Sequence, residues 1–460
     1  MRIAWFTPFR KVSAIGRFSR IVTECLARHA HVDLWVADAD SDALHHTTLR
    51  VVRYPPLVGI DGLLREYDLI VYNMGDHGPN HSRLYEVSQR VPGVVILHDY
   101  VLHHFLVSYY AETGAWDRYS AVLRRRYGLE IHWDGTGWSG RDCDIIRKRD
   151  CDEVIGYPLF EEVLTGCVGV VTHAEFVREA VAGIGIYPVT KIPLAYNADC
   201  GKTVRSRQEL DIPADRVLVV TTGNPNENKR IHIVLQALAA DRALADSIFF
   251  VVIGDCEAPF AQSLQRLRKD LHLNDTVRFT GYASDDVLRS YLAHAGFCVN
   301  LRWPAMEGGS ASCAEQMLYG KPAIVTETGV YKELPDTCVR RVRPEYEIED
   351  LTRHLRDLAA DADLRLSMGE QARQFAESNF SPDEYARRFL AFATELASYR
   401  PALHLIETVG RELRRIGVSS DMAILDMVAR EAALLLDGDC DPPILRKENH
   451  AETRERTLIL

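Results

Sequence analysis

The chain has 460 residues, 47% of them hydrophobic and 26% charged. That is the make-up of a soluble globular protein long enough for two or three domains. A formal net charge of −11 argues against general nucleic-acid binding. No apolar run reaches the roughly 18 residues that a membrane-spanning helix needs. The opening MRIAWFTPFR lacks the apolar core and cleavage site of a signal peptide, so a cytoplasmic location is expected. Ten cysteines, with no C-x-x-C pair and no zinc spacing, read as buried, reduced thiols.

In chain order, RIAWFTPF predicts a short buried strand that ends in a loop at Pro8. GRFSRIVTECLARHA then carries apolar residues at helical spacing, and VDLWVAD reads as the next strand. Strand patterns recur at DLIVYNM, GVVILHD and VGVVTHA, with helical stretches between them. Such alternation predicts a parallel sheet covered on both faces. Ligands of such sheets sit at the carboxyl ends of the strands. Those ends here carry Thr7-Pro8, Asn73, His98-Asp99 and Thr172-His173. Residues 195–215 are polar and turn-rich, a plausible linker. The alternation then restarts at RVLVVTTGN and continues through SIFFVVIGD, TVRFTGY, AGFCVNLR and PAIVTETG. Two doubly wound units imply a cleft between them. The expected division is 1–200 and 201–380, with a helix near 381–397 crossing back to the first unit. FSPDEYARRFLAFATELA starts that helix with a Ser cap followed by Pro. Residues 398–460 are expected to add amphipathic helices, ALHLIETVGRELRRIG and DMAILDMVAREAALLLDG, before a loosely ordered end.

The chemistry concentrates in two stretches. In MEGGSASCAEQMLYGKPAIV, Glu307 follows a strand and Glu315 lies on a helix that stops at Gly320. Gly308, Gly309 and Ser310 fall at the helix N-terminus, where backbone N–H groups and the helix dipole favour an anion. Carboxylates on either side suit hydroxyl groups. A diphosphate flanked by sugar hydroxyls fits this pattern, and so does a glycine-rich turn with a dipole-stabilised Glu. In TTGNPNENKRIHIVLQAL a strand ends at Gly223 and Lys229-Arg230 opens a helix. Cations there oppose the helix dipole but suit a neighbouring diphosphate.

Together these features resemble the retaining glycosyltransferases of family 4, which have the GT-B fold. Glu307 and Glu315 match the family's E-x7-E signature, and GNPNENKR matches its glycine-to-lysine loop. GKPAIVTETGVYKELPD, PFRKVSAIGRFSRIVTECLA and VILHDYVLHHF are similar to further family segments. The resemblance spans roughly residues 1–397. It implies that Glu307 contacts the donor sugar, with His98 beside the reacting carbon. Glu315 would hold the ribose, the backbone of Gly309, Ser310, Ala311 and Ser312 would cradle the diphosphate, and Gly308 would also belong to the donor site. Lys229 would neutralise the leaving group, with Gly223 in its loop and Ala14–Gly16 beside the phosphates. Where the family usually has Arg, this chain has Asn224. Arg302 or Arg230 is expected to replace the lost charge, with Arg302 preferred.

The implied reaction is transfer from a nucleotide-diphosphate sugar to a saccharide or lipid-linked hydroxyl acceptor, with configuration retained. The leaving phosphate would take the acceptor proton. The resemblance implies no cofactor and no metal, GDP-mannose as one common donor, and a role in polysaccharide or glycoconjugate assembly. Peripheral contact with the inner membrane face and a homo-oligomer are compatible with it. His103 and His104 are expected to be structural or acceptor-side, and His173 is a further site candidate. Trp133–Asp152 is expected to shape the acceptor site. The basic runs Arg124–Arg126 and Arg147–Arg149 read as solvated helix faces. A non-catalytic sugar-nucleotide-binding protein, or another GT-B enzyme such as an epimerase or phosphorylase, stands as the alternative.

Overall fold

The structure is a computed structural model. It describes residues 1–37, 44–54, 59–146, 152–185, 187–198, 200, 202–398, 409 and 412–413. The two amphipathic patterns and the loose end expected beyond residue 398 lie outside the described residues apart from those three positions. So does the basic run Arg147–Arg149.

Nine strands form the first half: β1 (Arg2–Phe6), β2 (His31–Ala37), β3 (Arg50–Tyr54), β4 (Leu69–Met74), β5 (Val94–Leu97), β6 (His132–Trp133), β7 (Trp138–Ser139), β8 (Gly169–Thr172) and β9 (Val189–Lys191). Seven of them make one parallel sheet in the order β3-β2-β1-β4-β5-β8-β9, and β6 and β7 pair as a small antiparallel hairpin. The second half supplies β10 (Val217–Thr222), β11 (Ile248–Ile253), β12 (Val277–Gly281), β13 (Phe297–Asn300), β14 (Ala323–Thr326) and β15 (Val339–Val342), ordered β12-β11-β10-β13-β14-β15. Each sheet reverses its winding at one point, β1/β4 in the first and β10/β13 in the second, where such folds bind ligands. This is the GT-B architecture of two Rossmann-like domains.

The period of two along a strand sorts the core. In β1, Ile3 and Trp5 enter one apolar cluster, with Val22 and Phe389, while Ala4 and Phe6 enter the other, with Tyr72 and Phe105. Helix Pro382–Ser398 returns from the second domain and packs on helix Ala14–Leu26. Its Phe389 meets Trp5 edge-on at 5.5 Å, and its Tyr385 meets Phe18 at 5.2 Å. Burying each such side chain contributes roughly 1.5–3 kcal/mol, so this helix ties the segment that follows the second domain back to the first.

Trp133 and the hairpin it opens pack on helix Trp116–Tyr127. Trp133 and Trp138 lie 5.6 and 5.0 Å from Trp116, and Trp138 also meets buried Tyr119 at 5.7 Å. The described part of that segment therefore builds an aromatic cluster on the first domain. Arg125 and Arg126 both pair with Glu162 at the C-terminal end of helix Trp116–Tyr127, where the dipole favours cations. No helix among the described residues is long and apolar enough to cross a membrane. The eight cysteines among them are free thiols.

Candidate active site

The chain after β13 runs through Trp303 and Glu307 before helix Ala311–Leu318 begins. That connection is not a free loop. It lies antiparallel to the segment after β5, with Asp99 and Glu307 paired. Gly308 N donates to His98 O at 2.8 Å, and Tyr100 N and Val101 N donate to Met306 O at 2.8 and 3.1 Å. A Cβ on Gly308 would come within 3.0 Å of His98 O, so the absent side chain is what allows the two domains to touch here.

Glu307 is held from behind. Its Oε1 accepts from Arg302 Nε at 3.0 Å and from the Tyr331 hydroxyl at 2.6 Å. Arg302 is 5% exposed, and it also donates to Leu301 O at 2.7 Å. The expected substitute for the missing charge thus serves as the buried counter-ion of Glu307. Arg230, the other expected substitute, is turned onto Glu347, its Nε 2.9 Å from Oε1. Arg230 does not lie inside a helix. Its φ of 53° makes it the left-handed cap between the turn Glu227–Lys229 and helix Ile231–Ala240.

Ser310 caps helix Ala311–Leu318, accepting from Cys313 N at 3.3 Å, and its hydroxyl lies 3.0 Å from that of Tyr331. Ser312 donates to Asn300 Oδ1 at 3.1 Å. Asn300 in turn donates to Gln316, and Gln316 to Thr222, at 2.6 and 3.1 Å. This buried amide chain fixes the helix N-terminus against the ends of β10 and β13. Asn300, Gln316 and Thr222 escaped the sequence reading, although Asn300 and Thr222 end strands. Gly309 lies against His173 and Leu194, and Ala311 is the first helical residue.

Lys229 Nζ donates to Thr222 O at 2.7 Å. It sits over Gly223, where a Cβ would meet it at 2.6 Å and where φ is +89°. The residue as a whole is only half-buried, but the ammonium is packed among protein atoms. Burial and then the neighbouring Arg302 push its pKa well below the usual lysine value. Asn224 is exposed on the loop beside it. Gly16 packs inward: a Cβ there would strike Pro8 O at 2.6 Å, so it serves the folding of its own loop.

At the far end, Glu315 is buried to 9% exposure. Burial raises its pKa, and Arg17 opposes that shift. Arg17 Nη2 lies 3.5 Å from Glu315 Oε1, with the guanidinium 4.6 Å over the ring of Tyr196. Neither Arg17 nor Tyr196 stood out in the sequence.

His98 is buried in a pair of histidines at the end of β5. Its ring contacts Asn73 Oδ1 through Nε2 at 3.1 Å and His173 Nε2 through Nδ1 at 3.2 Å. His173 contacts Ile192 O through Nδ1 at 2.9 Å. Both rings pack edge-on to Phe18, and burial lowers both pKa values. Both ring nitrogens of His98 are engaged inside the first domain, its partner His173 lies against Gly309, and its carbonyl accepts from Gly308 N in the Glu307 segment. His103 is likewise internal, bonded to Tyr157 O and Tyr119. His104 pairs with Asp76 at 2.7 Å. Among the described residues, no group of three or more His, Cys, Asp or Glu is placed to hold a metal ion.

Residues 203–375 match the model of the glycosyl transferases group 1 family. The fold as a whole is similar to HepE of Anabaena, solved in complex with UDP and glucose. That likeness has 17% identity, a TM-score of 0.61, and coverage of 86% of this chain and 100% of that one. The sucrose-phosphate synthase of Thermosynechococcus elongatus gives 15% identity, a TM-score of 0.60, and 86% and 99% coverage. A glycosyltransferase of Rickettsia africae gives 13% identity, a TM-score of 0.59, and 86% and 98% coverage. At these identities the likeness is one of fold. Comparison with curated protein sequences finds no match.

Proposed function

We propose that the chain is a retaining glycosyltransferase that moves a sugar from a nucleotide-diphosphate sugar to a hydroxyl acceptor in glycoconjugate or polysaccharide assembly. The observation that carries this reading is the layout at the second switch point. A helix N-terminus capped by Ser310 lies between two carboxylates, Glu307 and Glu315, each with its own arginine. Such a layout suits a diphosphate in the middle, a sugar at Glu307 and a ribose at Glu315.

In this reading the diphosphate charge is met by Lys229 and the helix N-terminus, without a metal. A same-face displacement breaks the bond from the anomeric carbon to phosphate as the acceptor oxygen arrives. The pairing of Asp99 with Glu307 brings both domains to the reacting centre, which excludes water and favours transfer over hydrolysis. The nucleotide in HepE makes a UDP-sugar the first donor to try, beside GDP-mannose. A thermal-shift screen against UDP, GDP, ADP and dTDP sugars tests the reading, because a bound donor raises the melting temperature by mass action. One clear winner is expected. No shift with any of them would remove the reading.

A further inference from the structure

Two seams join the domains. One is the ribbon in which Tyr100 N and Val101 N donate to Met306 O. The other lies at helix Glu175–Ala182 of the first domain, whose N-cap, Ala174, has no side-chain acceptor to offer. Glu333 of the second domain takes that place. Its Oε1 accepts from Glu175 N at 2.5 Å and from Phe176 N at 3.3 Å, and its Oε2 accepts from Lys191 Nζ at 3.1 Å. A carboxylate there meets amides left over at the helix start and suits the helix dipole.

Residues of both seams line a cavity of 490 Å³, a volume within the range of small-ligand sites. It is not the gap of an open cleft, since the contacts of both seams are made. Its walls hold the half-buried rings of Tyr100 and Phe176, whose centroids lie 5.4 Å apart edge to face, and of Trp303. Exposed Glu179 and Lys332 and half-buried Thr328 add polar groups. Glu175 and Glu333 also line it, but they are engaged already, Glu175 with Arg178 and Lys191 and Glu333 with Lys191. Among the described residues neither Glu179 nor Lys332 has an ion-pair partner. None of the residues that line the cavity is among those proposed to hold the donor.

That lining selects a class of ligand. Glu179 and Lys332 carry opposite charges, so the pair gives no net preference for an anion or a cation. An alkyl chain would leave both of them, and the Thr328 hydroxyl, facing apolar surface. A neutral sugar ring suits all of the groups at once. Its C–H faces lie against aromatic rings, and its hydroxyls both donate to a carboxylate and accept from an ammonium or a hydroxyl. We propose that this cavity is a binding site for a neutral saccharide, the sugar end of the acceptor.

The role as acceptor rests on the donor reading above; the binding of a sugar does not. Ala305 lines the cavity two residues before Glu307. A sugar held there is anchored on the same segment as the carboxylate proposed to face the donor sugar. Both seams fix the walls before a ligand arrives, which lowers the ordering cost of binding. Because the walls come from both domains, an occupied cavity also favours the joined arrangement over a separated one.

The experiment is saturation-transfer NMR on the full chain. The probes are methyl glucoside, methyl galactoside and methyl mannoside, with hexanol and inorganic phosphate as the other ligand classes and UDP and GDP as donor probes. At least one glycoside is expected to bind more tightly than hexanol or phosphate. Phe176→Leu keeps an apolar side chain but loses the flat ring, and should weaken that binding by about tenfold. Lys332→Ala, at an exposed position, should weaken it by about threefold. Both variants should keep the melting temperature and the affinity for UDP or GDP. If Phe176→Leu melts early, Lys332→Ala decides alone. No binding of any glycoside would overturn the proposal, as would tighter binding of hexanol or phosphate. So would glycoside binding within about twofold of wild type in the folded variants, because the sugar would then sit elsewhere. Glycoside binding by a chain that binds neither nucleotide would overturn the donor reading, and the acceptor role with it.

Discussion

Arg17 of the first domain lies 3.5 Å from Glu315 of the second. A cation from one domain thus meets the carboxylate proposed to hold the ribose on the other. Arg302 is committed to Glu307 and Arg230 to Glu347. Both of those pairs lie within the second domain, whereas Arg17, near the N-terminus of helix Ala14–Leu26, is a guanidinium that the first domain brings to the second. Arg17→Ala is expected to weaken nucleoside diphosphate binding by about tenfold, or roughly 1.4 kcal/mol, and the parent nucleoside much less. Isothermal titration with both ligands checks it. An equal loss for both would mean that Arg17 only orients Glu315.

Glu315→Ala is expected to weaken nucleotide binding more than it slows turnover. Because Arg17 and Glu315 touch, the double variant should lose less than the sum of the two singles. Strict additivity in the measured dissociation constants would show that the contact does not matter to binding.

Glu307→Ala should abolish most turnover and should also lower the melting temperature. It strands the buried Arg302 guanidinium without a counter-ion, a change that costs about 3–5 kcal/mol at fully buried pairs. Glu307 is 19% exposed at its side chain, so the low end is expected. Glu307→Gln keeps an acceptor for Arg302 and Tyr331 and should melt closer to wild type while staying slow. Equal melting of the two variants would contradict this role for Arg302.

Arg302→Ala should cut turnover severely and Arg230→Ala only mildly, since Arg302 positions Glu307 and Arg230 ties to a helix of its own domain. The reverse ranking in steady-state rates would move the missing charge to Arg230.

Lys229 carries a pH signature. Burial depresses its folded pKa, while a bound diphosphate favours the ammonium, so binding takes up a proton. Affinity should be full below the depressed value and fall as pH rises through it. Binding heats in that window should vary with the ionisation enthalpy of the buffer. The sign for folding is opposite. Between the depressed folded value and the ordinary lysine value the unfolded chain holds more protons, so stability rises with pH there. Buffer-independent heats would show that Lys229 stays charged in the empty site.

Much of this was legible from the residues. Both doubly wound units, the Ser381-Pro382 helix start, the Gly320 helix stop and the placing of Glu315 on a helix follow from periodicity and capping. The strands missed were the short hairpin β6–β7 and, in the two large sheets, β3, β9 and β15, which lie at sheet edges. An edge strand is covered less, so its apolar run is short or broken by charge, as in RVVRY and VRRV. The site was harder. Where the His98 ring points depends on what packs behind the strand, here Asn73, His173 and Phe18, and no local pattern encodes that. Arg17 meets Glu315 298 positions along the chain, a contact that only the fold creates.

The segment carrying Glu307 belongs by sequence to one domain and by backbone hydrogen bonding partly to the other. Swinging the domains apart would therefore peel a short ribbon before it could widen a gap. The amides of Tyr100, Val101 and Gly308 would be bared together at that moment. Their exchange with solvent would act as a clock for the motion, ticking only when the segment that carries Glu307 comes free of the first domain.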